Sequence, residues 1–214
     1  MEMILGLMHW FVDVILHLDT HLVELLRDYG FWVYFILFAI VFAETGFVIT
    51  PFLPGDSLLF AAGALAAVDS SGTLSAPLVS LTLIIAAVAG NTTNYHIGKW
   101  IGPPAFTGKI RFLKVEYLKR TEAFFVKHGS MTIVLSRFVP IIRTCAPFVA
   151  GVARMPYARF QAYNVFGGLS WVMLLVWAGY FFGNIPIIKE NFGVVTIGII
   201  VISMVPLAWV ALRK

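Results

Sequence analysis

The stretch that decides the fold is ETGFVITPFLPGDS, residues 44–57, which places two prolines, two glycines and two acids inside an apolar region. A continuous helix does not tolerate Pro51 and Pro54 in its interior. The apolar residues that follow, 57–68, are too few to cross a bilayer as a helix. The pattern therefore predicts a helix, a break and a half-helix, which together form a re-entrant element over residues 44–68.

A second stretch, RFVPIIRTCAPFVAG at residues 137–151, repeats this pattern. It also has two prolines in an apolar region, and it ends in FVAG where the first broken segment ends in FAAG. Broken segments in corresponding halves of a membrane protein indicate a transport site near the bilayer midplane. We therefore expect a second re-entrant element over residues 130–152, opposed to the first in an inverted repeat. The residues expected to form the breaks are Pro51, Pro54, Gly55, Pro140, Pro147 and Gly151.

The composition of the whole chain is that of an integral membrane protein. Of its 214 residues, 60% are hydrophobic and 12% are charged, and its mean hydropathy is +0.90, whereas a soluble domain carries about 25% charged residues. Cys145 is the only cysteine, so no disulfide forms within the chain, and one thiol with five scattered histidines predicts no metal site and no cofactor. A net charge of +4 is too small and dispersed for a nucleic-acid groove. The predicted fold class is all-α, with membrane-spanning helices.

The polar residues divide the chain into three parts. Helical spacing of polar side chains predicts an N-terminal amphipathic helix, and uninterrupted apolar runs predict ordinary spans. The predicted spans are residues 74–98, 160–182 and 192–212, and a polar connection over 99–128 includes a short amphipathic helix near 114–127. The predicted domains are the amphipathic helix 1–28, the membrane domain 29–183, and a C-terminal transmembrane helix with its tail, 184–214.

The basic residues predict the orientation of this multi-pass chain. Residues 99–128 contain seven Lys and Arg, and the chain ends in Arg213 and Lys214. Because positively charged loops stay in the cytoplasm, we expect residues 99–128 and the C-terminus on that side. Residues 69–73 and 184–191 then face outward.

Four charged residues lie in the two broken segments: Glu44 and Asp56 in the first, Arg137 and Arg143 in the second. Each charge at the centre of a membrane helix costs roughly 2.5–3.5 kcal/mol. Two acids against two bases form a neutral set, so we expect the two re-entrant tips to meet and form salt bridges across a cavity. Alternatively, Asp56 acts only as a helix N-cap, and the arginines are only structural partners of the acids.

The same residues suggest the chemistry of the site. Two arginines match the oxygens of a phosphate group, and a protonatable carboxylate beside them provides coupling to a proton gradient. Glu44 and Asp56 are thus candidates for proton coupling, and Arg137 and Arg143 for binding a lipid phosphate. Asn91 and Asn94 within the span 74–98 are secondary polar candidates or interhelical hydrogen-bonding residues. The tryptophans are interpreted as interface or packing residues without a chemical role: Trp10, Trp32, Trp100, Trp171 and Trp177.

Three classes of function compete at this point. A lipid transporter accounts for the acids and the arginines together. A cation/proton antiporter needs only the acids, and the arginines argue against a cation as its main substrate. A membrane-embedded enzyme acting on lipid is disfavoured, because no nucleophile stands beside a histidine and a base, and no catalytic residue is predicted.

The two broken segments resemble the motifs of the DedA family of bacterial inner-membrane proteins, whose domain is the VTT domain. The acidic, proline-rich residues 44–57 are similar to the first family motif, and the Arg-Phe-x-Pro-x-x-Arg pattern of residues 137–143 is similar to the second. By this resemblance Glu44 and Asp56 correspond to the essential acids of the family, and the arginines at both ends of the second motif to its essential arginines.

The resemblance implies two opposed re-entrant hairpins and a role in moving lipids between leaflets. The substrate it implies is undecaprenyl phosphate or a phospholipid, with dependence on the proton-motive force and a role in envelope homeostasis. The partners are then a membrane lipid with an anionic or phosphate-bearing headgroup and protons, and a homo-oligomer is compatible with it. Related sequences often carry an acid where this chain has Asn91, so proton coupling here would rest on Glu44 and Asp56.

Overall fold

The computed structural model describes residues 29–47, 55–69, 72–102, 104, 115–182 and 185, and the regular structure of these residues is entirely helical. The helices are α1 (Trp32–Gly46), α2 (Gly55–Val68), α3 (Ala76–Ile101), α4 (Val115–His128), α5 (Thr132–Leu135), α6 (Pro140–Val152) and α7 (Tyr157–Phe182). The predicted N-terminal helix 1–28, the predicted span 192–212, and Pro51 and Pro54 lie outside the described residues.

Two of these helices, α3 and α7, are long and apolar enough to cross a membrane. Each has 26 residues, which at 1.5 Å per residue corresponds to about 39 Å. They confirm the predicted spans 74–98 and 160–182. By contrast, α1 and α2 have 15 and 14 residues, fewer than the roughly 20 that a membrane-crossing helix needs.

The helix ends on both sides of the broken segments follow from local backbone chemistry. Helix α1 ends at Gly46 because Phe47 turns to an extended conformation. In the second segment, the 3-10 turn Ser136–Phe138 ends at Val139, which is extended, and α6 begins directly afterwards at Pro140. A proline suits the first position of a helix because the amide that it lacks would have no helical partner there. Pro140 is therefore a break residue, as predicted.

The prediction of further breaks at Pro147 and Gly151 is wrong. Both residues lie inside α6, which continues to Val152. Pro147 removes one hydrogen bond, the one to the carbonyl of Arg143, but packing on both sides keeps the helix intact. A break at Pro147 would have placed a helix N-terminus near residues 146–147, whereas the helix begins at Pro140, about two turns earlier.

Glycines bring the short helices onto the long ones at backbone contact distance. A Cβ at Gly63 of α2 would overlap the backbone of Val176 in α7, and a Cβ at Gly179 would overlap the backbone of Phe60. The same reciprocal arrangement joins α6 to α3. The corresponding contacts are Gly151 with the backbone of Tyr95, and Gly98 with the backbone of Phe148. Each glycine that ends an FxxG sequence thus lies against the long helix of the other half of the chain.

The buried apolar side chains lie around these crossings. The largest cluster lies between α1, α2, α3 and α7 and includes Leu37, Leu59 and Leu83, which are fully buried. A smaller cluster joins α3, α5, α6 and α7 around Phe160. The predicted amphipathic helix near 114–127 is confirmed as α4, which packs on α6 through Leu118.

Candidate functional site

The broken segments bring three of the four predicted charged residues into direct contact. Glu44 lies in the last turn of α1, Asp56 in the first turn of α2, and Arg143 in the first turn of α6. The Arg143 guanidinium donates from Nη2 to Glu44 Oε1, and from Nη1 to Asp56 Oδ1 at 2.7 Å. The Glu44 side chain is 1% exposed and the Arg143 side chain 9%. One buried arginine thus bridges carboxylates from two different helices.

Arg137 does not take part in this ion-paired group. It lies in the 3-10 turn before α6 and is 3% exposed. Its Nη2 donates to the Asn164 side-chain oxygen at 2.8 Å and to the Asn164 carbonyl at 3.3 Å. The expectation that each arginine pairs with an acid is therefore wrong for Arg137, for which the described residues provide no carboxylate within ion-pair distance.

Trp171 of α7 connects the charged residues with one another. Its indole N–H donates to Asp56 Oδ1 at 3.0 Å. The guanidinium carbons of Arg137 and Arg143 lie 5.8 and 5.7 Å from the centroid of its ring, within the range of a cation–π contact. Trp171 is 2% exposed and contacts three of the four charged residues. The interpretation of this tryptophan as a packing residue without a chemical role is therefore too narrow. The residues next to it in sequence gave no indication of these contacts.

Asn94 holds the ends of the two broken segments together. Its side-chain amide donates to the carbonyl of Thr45 at 3.2 Å and to the carbonyl of Thr144 at 2.8 Å. These two residues directly follow Glu44 and Arg143 in sequence. Asn94 is fully buried. Because its side chain donates to both broken segments, it fixes the spacing between Glu44 and Arg143.

Asn91 belongs to a second polar network, between α3 and α7. Its amide donates to Asn164 Oδ1 at 3.1 Å, the same oxygen that accepts from Arg137. The Asn164 amide donates in turn to the Val88 carbonyl at 3.1 Å and to Gln161 Oε1 at 2.9 Å. Sequence reasoning missed Asn164, although a polar residue within the apolar span 160–182 was a signal that could have identified it.

Gly55 lies directly beside the ion-paired group. It begins α2, and a Cβ at this position would overlap the carboxylate of Glu44. The prediction that Gly55 belongs to the break therefore has a steric basis. Any larger residue would displace Glu44 from Arg143.

A small cavity lies between these side chains. Its volume is about 10 Å³, which is close to the minimum that one water molecule needs. The residues that line it are Glu44, Thr45, Asn91, Arg137, Arg143, Thr144 and Trp171. In the described part of the chain, no three His, Cys, Asp or Glu side chains group as metal ligands. Its lining instead combines two guanidinium groups, a carboxylate, hydroxyls and an amide, which suit an ion or a polar headgroup.

Comparison with known proteins identifies the same region. Residues 53–181 match the model of the VTT domain family. The chain is 50% identical to Protein DedA of Escherichia coli over 203 residues. These aligned residues are 94% of this chain and 92% of that protein. It is 40% identical to the uncharacterized membrane protein Rv0364 of Mycobacterium tuberculosis, over 78% of this chain and 73% of that one. It is 37% identical to the inner membrane protein YqjA of Escherichia coli, over 72% and 69%. No solved structure matches the chain.

Proposed function

The chain belongs to the DedA family of membrane proteins, and from this premise we propose that it moves a lipid with a phosphate-bearing headgroup between the leaflets of the inner membrane. The observation that carries the proposal is the group of four charged residues Glu44, Asp56, Arg137 and Arg143, of which all but Asp56 line a small cavity. Two acids and two arginines at membrane depth would cost about 10–14 kcal/mol if unpaired, and Arg137 has no carboxylate within ion-pair distance among the described residues. Undecaprenyl phosphate and phospholipids both provide the anionic headgroup that such a site would bind.

We also infer that the two broken segments are opposed re-entrant hairpins related by an inverted repeat. The reciprocal glycine contacts support this inference. Gly63 and Gly151 end the FAAG and FVAG sequences, and each packs on the long helix of the other half. In both cases the glycine on the long helix lies three residues after the backbone that its partner contacts. This agreement is what a two-fold relation between α2–α7 and α6–α3 would produce.

Proton coupling would act through the bridge between the acids. Arg143 is held by Glu44 and Asp56 together. Protonation of either carboxylate removes one of the two charges that hold the guanidinium, which weakens the link between the two broken segments and leaves the site more positive. A proton taken up on one side of the membrane would thereby change the affinity for the headgroup.

Transport would require the site to open. A cavity with room for about one water molecule is too small for a phosphate group. Separation of the two broken segments is the simplest motion that would widen it, since Asn94 and Arg143 are the main polar links between them. In this account the structure corresponds to a closed state of the transporter.

The proposal includes an orientation and a role in the cell. Residues 99–128 and the C-terminus lie in the cytoplasm, and lipid movement supports homeostasis of the cell envelope. The protein acts as a transporter and not as an enzyme, with lipid and protons as its partners and a homo-oligomer compatible with the account. Its proposed domains are the amphipathic helix 1–28, the membrane domain 29–183 and the C-terminal transmembrane helix with its tail, 184–214.

The second candidate is a cation/proton antiporter, and the convergence of Glu44 and Asp56 on one point is the observation that favours it. Measuring lipid exchange separates the candidates. Purified protein is reconstituted into vesicles that contain fluorescent phospholipid, and the fraction of label reached by an external quencher is followed over time. We expect exchange that depends on the protein, without chemical change of the lipid. Sodium- or potassium-driven proton movement without lipid exchange would support the antiporter, and a modified lipid would indicate an enzyme.

A further inference from the structure

The two arginines of the site have different electrostatic environments. Arg143 contacts two carboxylates, so this ion-paired group carries one more negative than positive charge when both acids are ionised. Among the described residues, Arg137 hydrogen-bonds only to neutral groups, the two oxygens of Asn164, and it lies over the ring of Trp171, while Glu44 and Arg143 line the same cavity. The Nε of Arg137 has no hydrogen-bond partner among the described residues. A guanidinium that is 3% exposed and has no directly bonded carboxylate in the described part of the chain is costly to bury unless an anion can reach it.

Helix α7 is shaped to hold Arg137 in this position. Asn164, Gly167, Gly168 and Trp171 follow one another at helical spacing and lie on one face of α7. A Cβ on Gly167 would lie 3.2 Å from Arg137 Nε, and one on Gly168 would lie 3.3 Å from its Nη2. The two glycines therefore leave a slot in which the guanidinium lies along the helix. Asn164 closes one end of the slot and Trp171 the other.

The neutrality of Asn164 is the critical property of this slot. Asparagine offers Arg137 the same oxygen geometry as aspartate, but without a negative charge. An aspartate at this position would give Arg137 a permanent counter-ion and would occupy the place of a ligand. The Asn164 amide is itself fixed by the carbonyl of Val88 and by Gln161, so its oxygen stays directed at Arg137.

We propose that Asn164 is a positioning residue that keeps Arg137 without a counter-ion, so that Arg137 makes the primary contact with the phosphate while Arg143 serves the acids. This inference rests on the proposed function and deepens it, because it assigns the two arginines to different tasks. It predicts that two changes, a negative charge added at residue 164 and loss of the planar guanidinium at residue 137, both weaken binding of the phosphate-bearing lipid.

The test measures binding of phosphatidic acid to the purified full-length protein, with diacylglycerol of the same chains as the control lipid. Asn164→Asp should weaken binding of phosphatidic acid at least about tenfold, and its melting temperature should stay within a few degrees of wild type because the new ion pair offsets the lost amide bonds. Gln161→Glu is the matched control, since it adds the same charge to the network one turn away, without touching Arg137. It should weaken binding far less, by less than about threefold.

A second pair of variants decides the question independently of how Asn164→Asp folds. Arg137→Lys should lose phosphatidic acid binding at least about tenfold with a small change in melting temperature. Arg143→Lys should lower the melting temperature clearly and change phosphatidic acid binding little, because lysine cannot bridge two carboxylates with a planar fork. Wild-type affinity in Asn164→Asp, or equal losses of affinity in the two lysine variants, would overturn the inference and leave the proposed function standing. A wild-type protein that binds phosphatidic acid no better than diacylglycerol would overturn both.

Discussion

At the scale of single residues, Arg143 is the centre of the ion-paired group. Its two terminal nitrogens contact carboxylates from two different helices, and its guanidinium lies beside the ring of Trp171. Removing one partner of a buried ion pair costs about 3–5 kcal/mol, because the other charge is left unpaired. The identity of the partners is therefore measurable by exchanging charges.

Two charge exchanges of identical composition test the pairing. In an Asp56→Asn background, which removes the second carboxylate that contacts residue 143, we expect Glu44→Arg with Arg143→Glu to restore the amount of protein in the membrane relative to Glu44→Arg, because it re-forms the contact seen between these positions. Glu44→Arg with Arg137→Glu should not restore it, since it leaves two cations side by side. Quantitative immunoblotting of membranes compares them, and equal recovery in the two doubles would contradict the assigned pairs.

Trp171 offers a second residue-scale prediction. Trp171→Phe keeps an aromatic face for the arginines and loses the N–H that donates to Asp56. The free energy of unfolding should fall by about 1.5–3 kcal/mol, the contribution of a hydrogen bond to a charged group. Trp171→Leu should lower the free energy of unfolding further, because both cation–π contacts are lost as well. Denaturation of the purified variants in detergent measures this order, and equal stability of the Phe and Leu variants would show that the ring face contributes nothing.

At the scale of helices, much of the fold could be predicted from sequence. Length and hydropathy predict the spans α3 and α7, whereas the start of α6 at Pro140 was not predicted, although a proline fits the first helical position. Pro147 misled the prediction since a buried helix can lose one hydrogen bond and remain intact when packing holds it on both sides. Local sequence does not contain that tertiary information.

The members of the site were largely predictable, but most of their contacts were not. Charged residues in an apolar stretch are conspicuous, so Glu44, Asp56, Arg137 and Arg143 could be identified without coordinates. The partner of Arg137 could not, because Asn164 lies 27 residues away and asparagine also serves as an ordinary interhelical hydrogen-bonding residue.

The glycine contacts provide the element-scale prediction. Gly63→Ala and Gly151→Ala should each lower stability by about 1–3 kcal/mol or more, since the new methyl group meets backbone that cannot move aside. Gly46→Ala is the matched control, because its Cβ would lie 3.4 Å from the nearest atom of Gly90, an ordinary contact distance. Melting temperatures in detergent distinguish them, and a loss in Gly46→Ala as large as in the other two would remove the steric explanation.

At the scale of the whole molecule, the proposed orientation in the membrane rests on the basic residues of the connection 99–128. In a Cys145→Ala background, Lys119→Cys on the exposed side of α4 should react with an impermeant maleimide only in inverted vesicles. Pro77→Cys, exposed at the start of α3, should react only in intact cells. Reaction of both positions from the same side would contradict the proposed topology.

The central claim is that the buried acids couple lipid movement to protons, and gradient-driven lipid exchange in reconstituted vesicles tests it most directly. Wild-type protein should exchange labelled phospholipid faster with an imposed pH gradient than without one. Glu44→Gln and Asp56→Asn, inserted in equal amounts, should abolish this acceleration because neither amide can take up a proton. Equal acceleration by wild type and both variants would contradict the account, as would exchange that does not respond to the gradient in any of them.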